Sequence, residues 1–171
     1  MRSRLVIAGL LVALASVLVP ASVGVARAST APTVCTWAGT VDAPTGTFTI
    51  TPGATNTPST GPLVIRATGR LGGGCRGTLT YDGQIDAGST CAAATFHGRA
   101  TGMPGVTRFA GIGLASFAPA RLYDAEGNVV GSENANLNTA ENIPHFTDCN
   151  TPEGFRGGNF NSVIVLVGSS S

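Results

Sequence analysis

Short segments in which apolar and polar residues alternate recur along most of this 171-residue chain. The clearest is 47–51, where Phe48 and Ile50 would point to one face of a strand and the threonines to the other. Helix signals are nearly absent, apart from one helical turn expected near 140–143. The pattern predicts an all-β fold of about eight or nine strands, placed at 34–41, 47–51, 63–71, 78–81, 94–101, 106–117, 121–123, 128–131 and 162–167.

Glycines also occur inside the predicted strands, as at Gly98, Gly111 and Gly113. A strand glycine marks a bend, a bulge or a close contact, and its repeated use indicates a strongly coiled sheet. A closed antiparallel β-barrel is therefore favoured over a two-sheet β-sandwich.

The segment 122–130 carries the strongest turn signal in the chain. Asp124 has a side chain that accepts hydrogen bonds at a type I turn, and Gly127 stands where such a hairpin needs a positive φ. We expect Asp124 and Glu126 to be solvated at the hairpin tip, with a structural role.

Two segments interrupt the alternation. Residues 51–62 are almost all Thr, Pro, Gly, Ser and Asn, which predicts an exposed loop. Residues 132–161 are polar and hold seven of the nine asparagines. A connection of this length inside a compact domain is usually functional or disordered, and a disulfide at Cys149 would favour an ordered one.

Residues 1–28 have the three parts of an export signal: an arginine-bearing start, an apolar run at 5–19, and Ala-Arg-Ala at 26–28 for cleavage. The apolar run is shorter than the roughly 20 residues that cross a bilayer as a helix, which favours a cleaved signal peptide over a membrane anchor. Cys35 follows Pro-Thr-Val, which is not a lipoprotein motif. We expect residues 29–171 to form a single secreted, extracellular β domain with no membrane attachment.

After cleavage seven arginines face nine acidic residues, and the chain has no lysine. Because the chain has no excess of basic residues, it is not expected to bind nucleic acid. The absence of lysine excludes Schiff-base chemistry, and the sequence contains no nucleophile elbow, zinc-protease motif, phosphate-binding loop or dinucleotide fingerprint. No cofactor and no metal is expected.

The four cysteines, an even number in an exported chain, predict two disulfides. Their wide spacing argues against zinc, whose ligands usually come in close pairs. Of the three possible pairings we favour Cys75–Cys91 with Cys35–Cys149. The segment between Cys75 and Cys91 would fold back as a hairpin at Asp82-Gly83, with a bulge at Gly88.

The candidate catalytic residues are His145, Asp148 and Glu153, which lie close together in the sequence beside Cys149. A histidine and carboxylates are suited to acid–base work or to holding a divalent metal. The alternative is that they are loop residues bonded to the local backbone, and this structural role is favoured. His97 is expected to be an outward strand histidine.

Trp37 is the only tryptophan and stands near Cys35. Core packing beside a disulfide is favoured for it over an exposed role in ligand stacking. Tyr81 and Tyr123 flank predicted turns and are expected to form cross-strand pairs.

The strings TGTFTITPG, LTYDGQIDAG, TGMPGVTRFAG, LYDAEGNVVGSENA and TDCNTPEGF resemble small secreted β-proteins of high-GC Gram-positive bacteria that carry no assigned activity. The resemblance covers most of 29–171. It implies export and a β fold, and it supplies no catalytic residues.

Two functions of different class follow. The first is a secreted, non-catalytic binding or structural module, whose barrel mouth or 132–161 loop contacts a small ligand, a glycan or a protein. The alternative is a secreted hydrolase or lyase that uses His145, Asp148 and Glu153. The sequence favours the first and leaves the ligand and the oligomeric state open.

Overall fold

The computed structural model describes residues 31–113 and 116–167, so the predicted signal peptide, 1–28, lies outside the described residues. The described chain has one short helix, α1 (Asn142–His145), followed by a 3-10 turn, Phe146–Asn150. The all-β prediction is confirmed. The strands of the described chain are β1 Thr33–Trp37, β2 Gly46–Ala54, β3 Leu63–Gly73, β4 Thr78–Ile85, β5 Ala94–Thr101, β6 Arg108–Gly113, β7 Phe117–Tyr123, β8 Val129–Asn136 and β9 Phe155–Leu166.

The sheet closes on itself. Each strand from β2 to β9 pairs antiparallel with the next one along the chain, and β9 pairs back with β2. These eight strands form a closed antiparallel barrel, with β1 as an extra strand. The prediction of a barrel over a sandwich is confirmed.

The extra strand β1 shares one position of the barrel with β2. Both pair with β3 and β9, β1 at one end and β2 further along. Between them the chain passes through Ala38 and Gly39, which have positive φ values of 69° and 90°. A side chain at Gly46 or Gly69 would collide with the buried Ala38, so both glycines are needed for this close approach.

The inner surface of the barrel follows the predicted alternation. In β2, Phe48 and Ile50 are buried while the threonines beside them are exposed. Gly83 and Gly98 face each other across β4 and β5, and a side chain on Gly83 would collide with the ring of Phe109. The strand glycines therefore allow close packing in a coiled sheet, as predicted.

The hairpin predicted at 122–130 is also confirmed. The backbone N–H of Asn128 donates to Asp124 Oδ1 at 2.7 Å, and the Asn128 side-chain amide donates to Oδ2 at 2.9 Å. These bonds lower the pKa of Asp124. Gly127 has a φ of 91°.

The hairpin predicted at Asp82-Gly83 is wrong. Strand β4 runs straight through both residues to Ile85, and the chain reverses at 86–93 instead. Gly83 is a strand glycine that makes room for Phe109, and Asp82 is exposed and pairs with Arg66 at 2.9 Å.

The disulfide pairing predicted with that hairpin is wrong as well. The bonds are Cys35–Cys75 and Cys91–Cys149, not Cys75–Cys91 and Cys35–Cys149. Cys35 lies opposite Gly73, at the end of β3, so β1 brings it next to Cys75 in the following turn. The prediction of two disulfides is confirmed.

Non-reducing peptide mapping will test this pairing. We expect linked peptides that contain Cys35 with Cys75 and Cys91 with Cys149, whose Cα atoms lie 5.3 and 6.1 Å apart. A peptide linking Cys75 to Cys91 would contradict the barrel register described here.

The polar segment predicted as one loop, 132–161, is shorter than expected. Strand β8 extends to Asn136 and β9 begins at Phe155, so the connection is only 137–154. Helix α1 begins two residues later than the start of the helical turn expected near 140–143. Within the residues described, no helix is long and apolar enough to cross a membrane.

Candidate functional site

The barrel contains a cavity of about 320 Å³ whose lining is mostly apolar and aromatic. Its lining includes residues of three of the connections at one end of the barrel, 55–62, 86–93 and 137–154. Leu79, Leu122 and Ile164 are fully buried and take no part in the lining. The cavity therefore runs from the barrel interior towards the end that carries these three connections, which we call the mouth.

The disulfide Cys91–Cys149 joins two of the mouth connections, and backbone hydrogen bonds add the third. The N–H of Cys91 donates to the Thr55 carbonyl at 2.8 Å, and the N–H of Asn56 donates to the Cys149 carbonyl at 3.0 Å. The side-chain amide of Asn56 also donates to Asn150 Oδ1 at 2.8 Å. The mouth is thus held by one covalent bond together with hydrogen bonds between the connections.

Asn142 fixes the connection 137–154 to β9. Its side chain is fully buried, and its amide donates to the carbonyls of Leu137 and Asn159 at 2.8 and 2.6 Å. Its Oδ1 accepts a hydrogen bond from the Asn159 N–H at 3.0 Å. Because every polar group of this amide is engaged, the connection has a defined position and places Phe146 in the cavity wall.

An aromatic cluster forms the inner part of the cavity wall. The Trp37 ring centroid lies 4.5 Å from that of Tyr81 and 4.6 Å from that of Phe160. Tyr81 stacks on Phe109 with 4.0 Å between centroids. The indole N–H of Trp37 donates to the carbonyls of Gly69 and Leu79 at 3.0 and 3.2 Å, which leaves its apolar surface for the cavity.

Glu133 places a carboxyl group against this cluster. It stands on β8 between the buried Gly131 and Ala135, so the alternation of the strand turns it inward, and it is only 5% exposed. The Tyr81 hydroxyl donates to Glu133 Oε2 at 2.8 Å. Among the described residues that line the cavity, Glu133 is the only charged one.

Burial raises the pKa of Glu133 to about 7, because the apolar surroundings penalise the ionised form. The Tyr81 hydroxyl and the nearby Ser162 hydroxyl oppose this rise by favouring the carboxylate. Burial together with this carboxyl raises the pKa of Tyr81. The Ser162 hydroxyl is itself buried and makes no hydrogen bond of ordinary geometry within 31–113 and 116–167.

In the part of the chain that the structure describes, no arginine or histidine forms an ion pair with Glu133. A buried carboxyl without a cation is costly to a fold, and groups with strongly shifted pKa values concentrate at functional sites. Glu133 and Tyr81 are therefore the strongest functional candidates in the barrel.

The predicted catalytic pair lies outside the cavity lining. His145 Nδ1 and Asp148 Oδ2 are 3.2 Å apart, within hydrogen-bonding reach, but the two side chains are 60% and 44% exposed. Glu153 is exposed and forms no ion pair or side-chain hydrogen bond with either residue among those described. No group of three His, Cys, Asp or Glu side chains in the described ranges is arranged to hold a metal ion. The catalytic alternative stays a prediction.

His97, Trp37 and Tyr81 were also considered from the sequence. His97 faces outward on β5, as expected, and its Nδ1 lies 3.2 Å from Asp86 Oδ1. Trp37 is packed in the core, as favoured, and it also lines the cavity. Tyr81 is not beside a turn: it lies within β4 and points into the barrel.

Sequence reasoning missed Glu133. It lies in the polar stretch Gly131–Asn136, where neither face of the strand is apolar, so alternation gives no inner face. A signal did exist, because this residue falls in register with Gly131 and Ala135, two small residues suited to a barrel interior. Only the pairing of β8 with β7 and β9 shows that this register faces inward.

The fold and the cavity define a class: a closed eight-stranded β-barrel with an internal apolar cavity that holds one carboxyl group. In comparisons with known proteins, no protein-family model, no curated protein and no solved structure matched the chain.

Proposed function

We propose that this protein is a secreted binding module that takes up a small apolar ligand in the barrel cavity. The observation that carries the proposal is the cavity itself, about 320 Å³ and lined largely by aromatic and aliphatic side chains. Small-molecule sites are concave and mostly apolar, have a few placed polar groups, and occur in the mouths of barrels. Here the placed polar groups are Glu133 and Tyr81.

The construction of the mouth supports the same function. The disulfide Cys91–Cys149 and the bonds of Asn56 hold three connections in one arrangement, so little ordering is left to be done when a ligand enters. A binding site that is ordered in advance loses less free energy on binding. Secretion is part of the proposal, because structural disulfides persist in oxidising compartments and residues 1–28 read as an export signal.

Blocking the cavity will test this function. Ala118 is a half-buried lining residue, and the change Ala118→Phe would fill part of the cavity. We expect it to weaken binding of a small neutral aromatic such as 4-phenylbutanol by roughly tenfold or more, because the ring and the ligand compete for the same space. Calorimetry and the fluorescence of Trp37, which lines the cavity, would report binding.

The matched control is Ala125→Phe, the same change at the exposed hairpin tip at the other end of the barrel. It should bind 4-phenylbutanol like the unaltered protein. Equal affinity in both variants, or no binding by the unaltered protein of any small aromatic tried, would overturn the proposed function.

A further inference from the structure

The polar part of the inner cavity wall, which we call the floor, consists of the Glu133 carboxyl and the Tyr81 hydroxyl. It offers hydrogen-bond acceptors and very few donors. The Tyr81 hydroxyl already gives its proton to Glu133 Oε2, so it has none left for a ligand. The Trp37 indole N–H is likewise engaged with backbone carbonyls, and the remaining side-chain donors of the described lining, Asn56 and Thr90, belong to the mouth connections and not to the inner wall. When the Glu133 carboxyl is ionised it only accepts, so a ligand group that reaches it must then supply the hydrogen.

The charge of the Glu133 carboxylate also selects the charge of the ligand. The Glu133 carboxyl faces the cavity without a cationic partner among the described residues, so an anionic ligand group would be repelled and a cationic one attracted. The attraction is strong here because the surroundings are apolar and screen little. A cation on a ligand would fill the place that an arginine or lysine fills beside most buried carboxylates.

The aromatic cluster is suited to the same kind of ligand. Tyr81 contacts the carboxyl through its hydroxyl, and its ring lies 4.5 Å from Trp37 and 4.0 Å from Phe109. The faces of Trp and Tyr rings attract organic cations, and this attraction grows when the site is shielded from water. The carboxyl and the aromatic lining thus favour the same ligand charge.

We propose that the cavity recognises a small hydrophobic amine in its ammonium form, with the ammonium group on Glu133 and the apolar part against the aromatic wall. This proposal rests on the binding function proposed above and names its ligand class.

The binding of such an amine will depend on pH, because the carboxyl must be ionised to pair with it. With the pKa of Glu133 at about 7, the amine should bind roughly tenfold more weakly at pH 6 than at pH 8. The groups that face Glu133 are Tyr81 from β4, Ala120 from β7, and Ser162 with Ile164 from β9. Tyr81 titrates well above this pH window, and the charged residues of these strands, Asp82, Arg121 and Arg156, are exposed.

The test compares 4-phenylbutylamine with 4-phenylbutanol, two ligands of similar shape that differ in charge. At pH 8 we expect the unaltered protein to bind the amine roughly 10- to 100-fold more tightly than the alcohol, the range of a charge-assisted hydrogen bond. Glu133→Gln should remove this preference and the pH dependence, and it should weaken binding of the amine far more than binding of the uncharged alcohol. This variant keeps His97 and His145, so a pH dependence that persists in it would come from other groups and count against the proposal.

If Glu133→Gln does not fold, two other measurements test the proposal: the pH profile of the unaltered protein, and the variant Tyr81→Phe, which keeps the carboxyl. The preference for the amine must persist in Tyr81→Phe, and in the unaltered protein it must fall from pH 8 to pH 6. Binding of the alcohol without any preference for the amine would overturn this proposal and leave the binding function standing. Failure of both ligands to bind would overturn the binding function as well.

Discussion

Replacing Trp37 with alanine is expected to lower the free energy of unfolding by about 4 kcal/mol, because a large buried aromatic leaves a cavity that the barrel cannot close. The side chain is 1% exposed and packs against Tyr81 and Phe160. Its indole N–H is the donor to two buried carbonyls, which lose this partner in the variant. Trp37 also lies where β1 fills the gap between β3 and β9, so its loss weakens the closure of the barrel.

Urea unfolding followed by circular dichroism will measure this effect, since the variant lacks tryptophan fluorescence. Val34→Ala is the matched control on the same strand: Val34 is 54% exposed, and we expect a change within about 0.5 kcal/mol. A loss in Trp37→Ala no larger than that of the control would contradict the packing described here.

The sequence predicts the barrel because local patterns and the closed sheet agree. Phe48 and Ile50 alternate with threonines, and the structure turns both of them inward. The hairpin at Asp124 follows from turn chemistry within a few residues, and its hydrogen bonds are the predicted ones. Features of this kind depend on neighbours in the chain, so a sequence read alone can find them.

The disulfide pairing could not be found in this way, because it depends on the closure of the barrel. Cys91 lies in the connection after β4 and Cys149 in the connection after β8, and only a closed sheet brings these connections together. Asp82-Gly83 is a dipeptide typical of tight turns, and this favoured a disulfide between Cys75 and Cys91, which are close in the sequence. The packing of Phe109 against Gly83 decides otherwise.

The candidate site could not be predicted from the sequence for a related reason, because its chemistry depends on the closed fold. His145 and Asp148 were predicted as catalytic candidates because a histidine and a carboxylate suit acid–base chemistry. They do lie within hydrogen-bonding distance, yet both are exposed. Glu133 is a single glutamate in a polar stretch, and its chemistry comes from burial beside Tyr81, which is 52 residues away in the sequence. Environment, not residue type, distinguishes the two carboxylates.

The burial of Glu133 should also make the protein less stable as pH rises, by about 3 kcal/mol between pH 4.5 and pH 8. The ordinary pKa of a glutamate is 4.5, and in the folded chain it is about 7. Below the lower value the carboxyl is neutral in both states and carries no penalty. As pH rises from 4.5 towards 7, the carboxyl ionises in the unfolded chain but stays neutral in the folded one, so the free energy of unfolding falls. Above about pH 7 the folded chain ionises too, and the fall levels off.

Glu133→Gln keeps the size of the side chain and removes the titration, so its free energy of unfolding should lack this fall. Urea unfolding of both proteins at pH 5 and pH 8 gives the comparison, because the titration of the other groups is common to the two and cancels in the difference. Glu126→Gln, at the exposed hairpin tip, should keep the pH dependence of the unaltered protein. Parallel behaviour of the unaltered protein and Glu133→Gln would mean that the carboxyl is solvated, and the amine site would then lose its charge selectivity too. A fall confined to proteins that keep Glu133 would mean that the barrel bears a cost of folding for a charge in its cavity, a cost that a bound cation would offset.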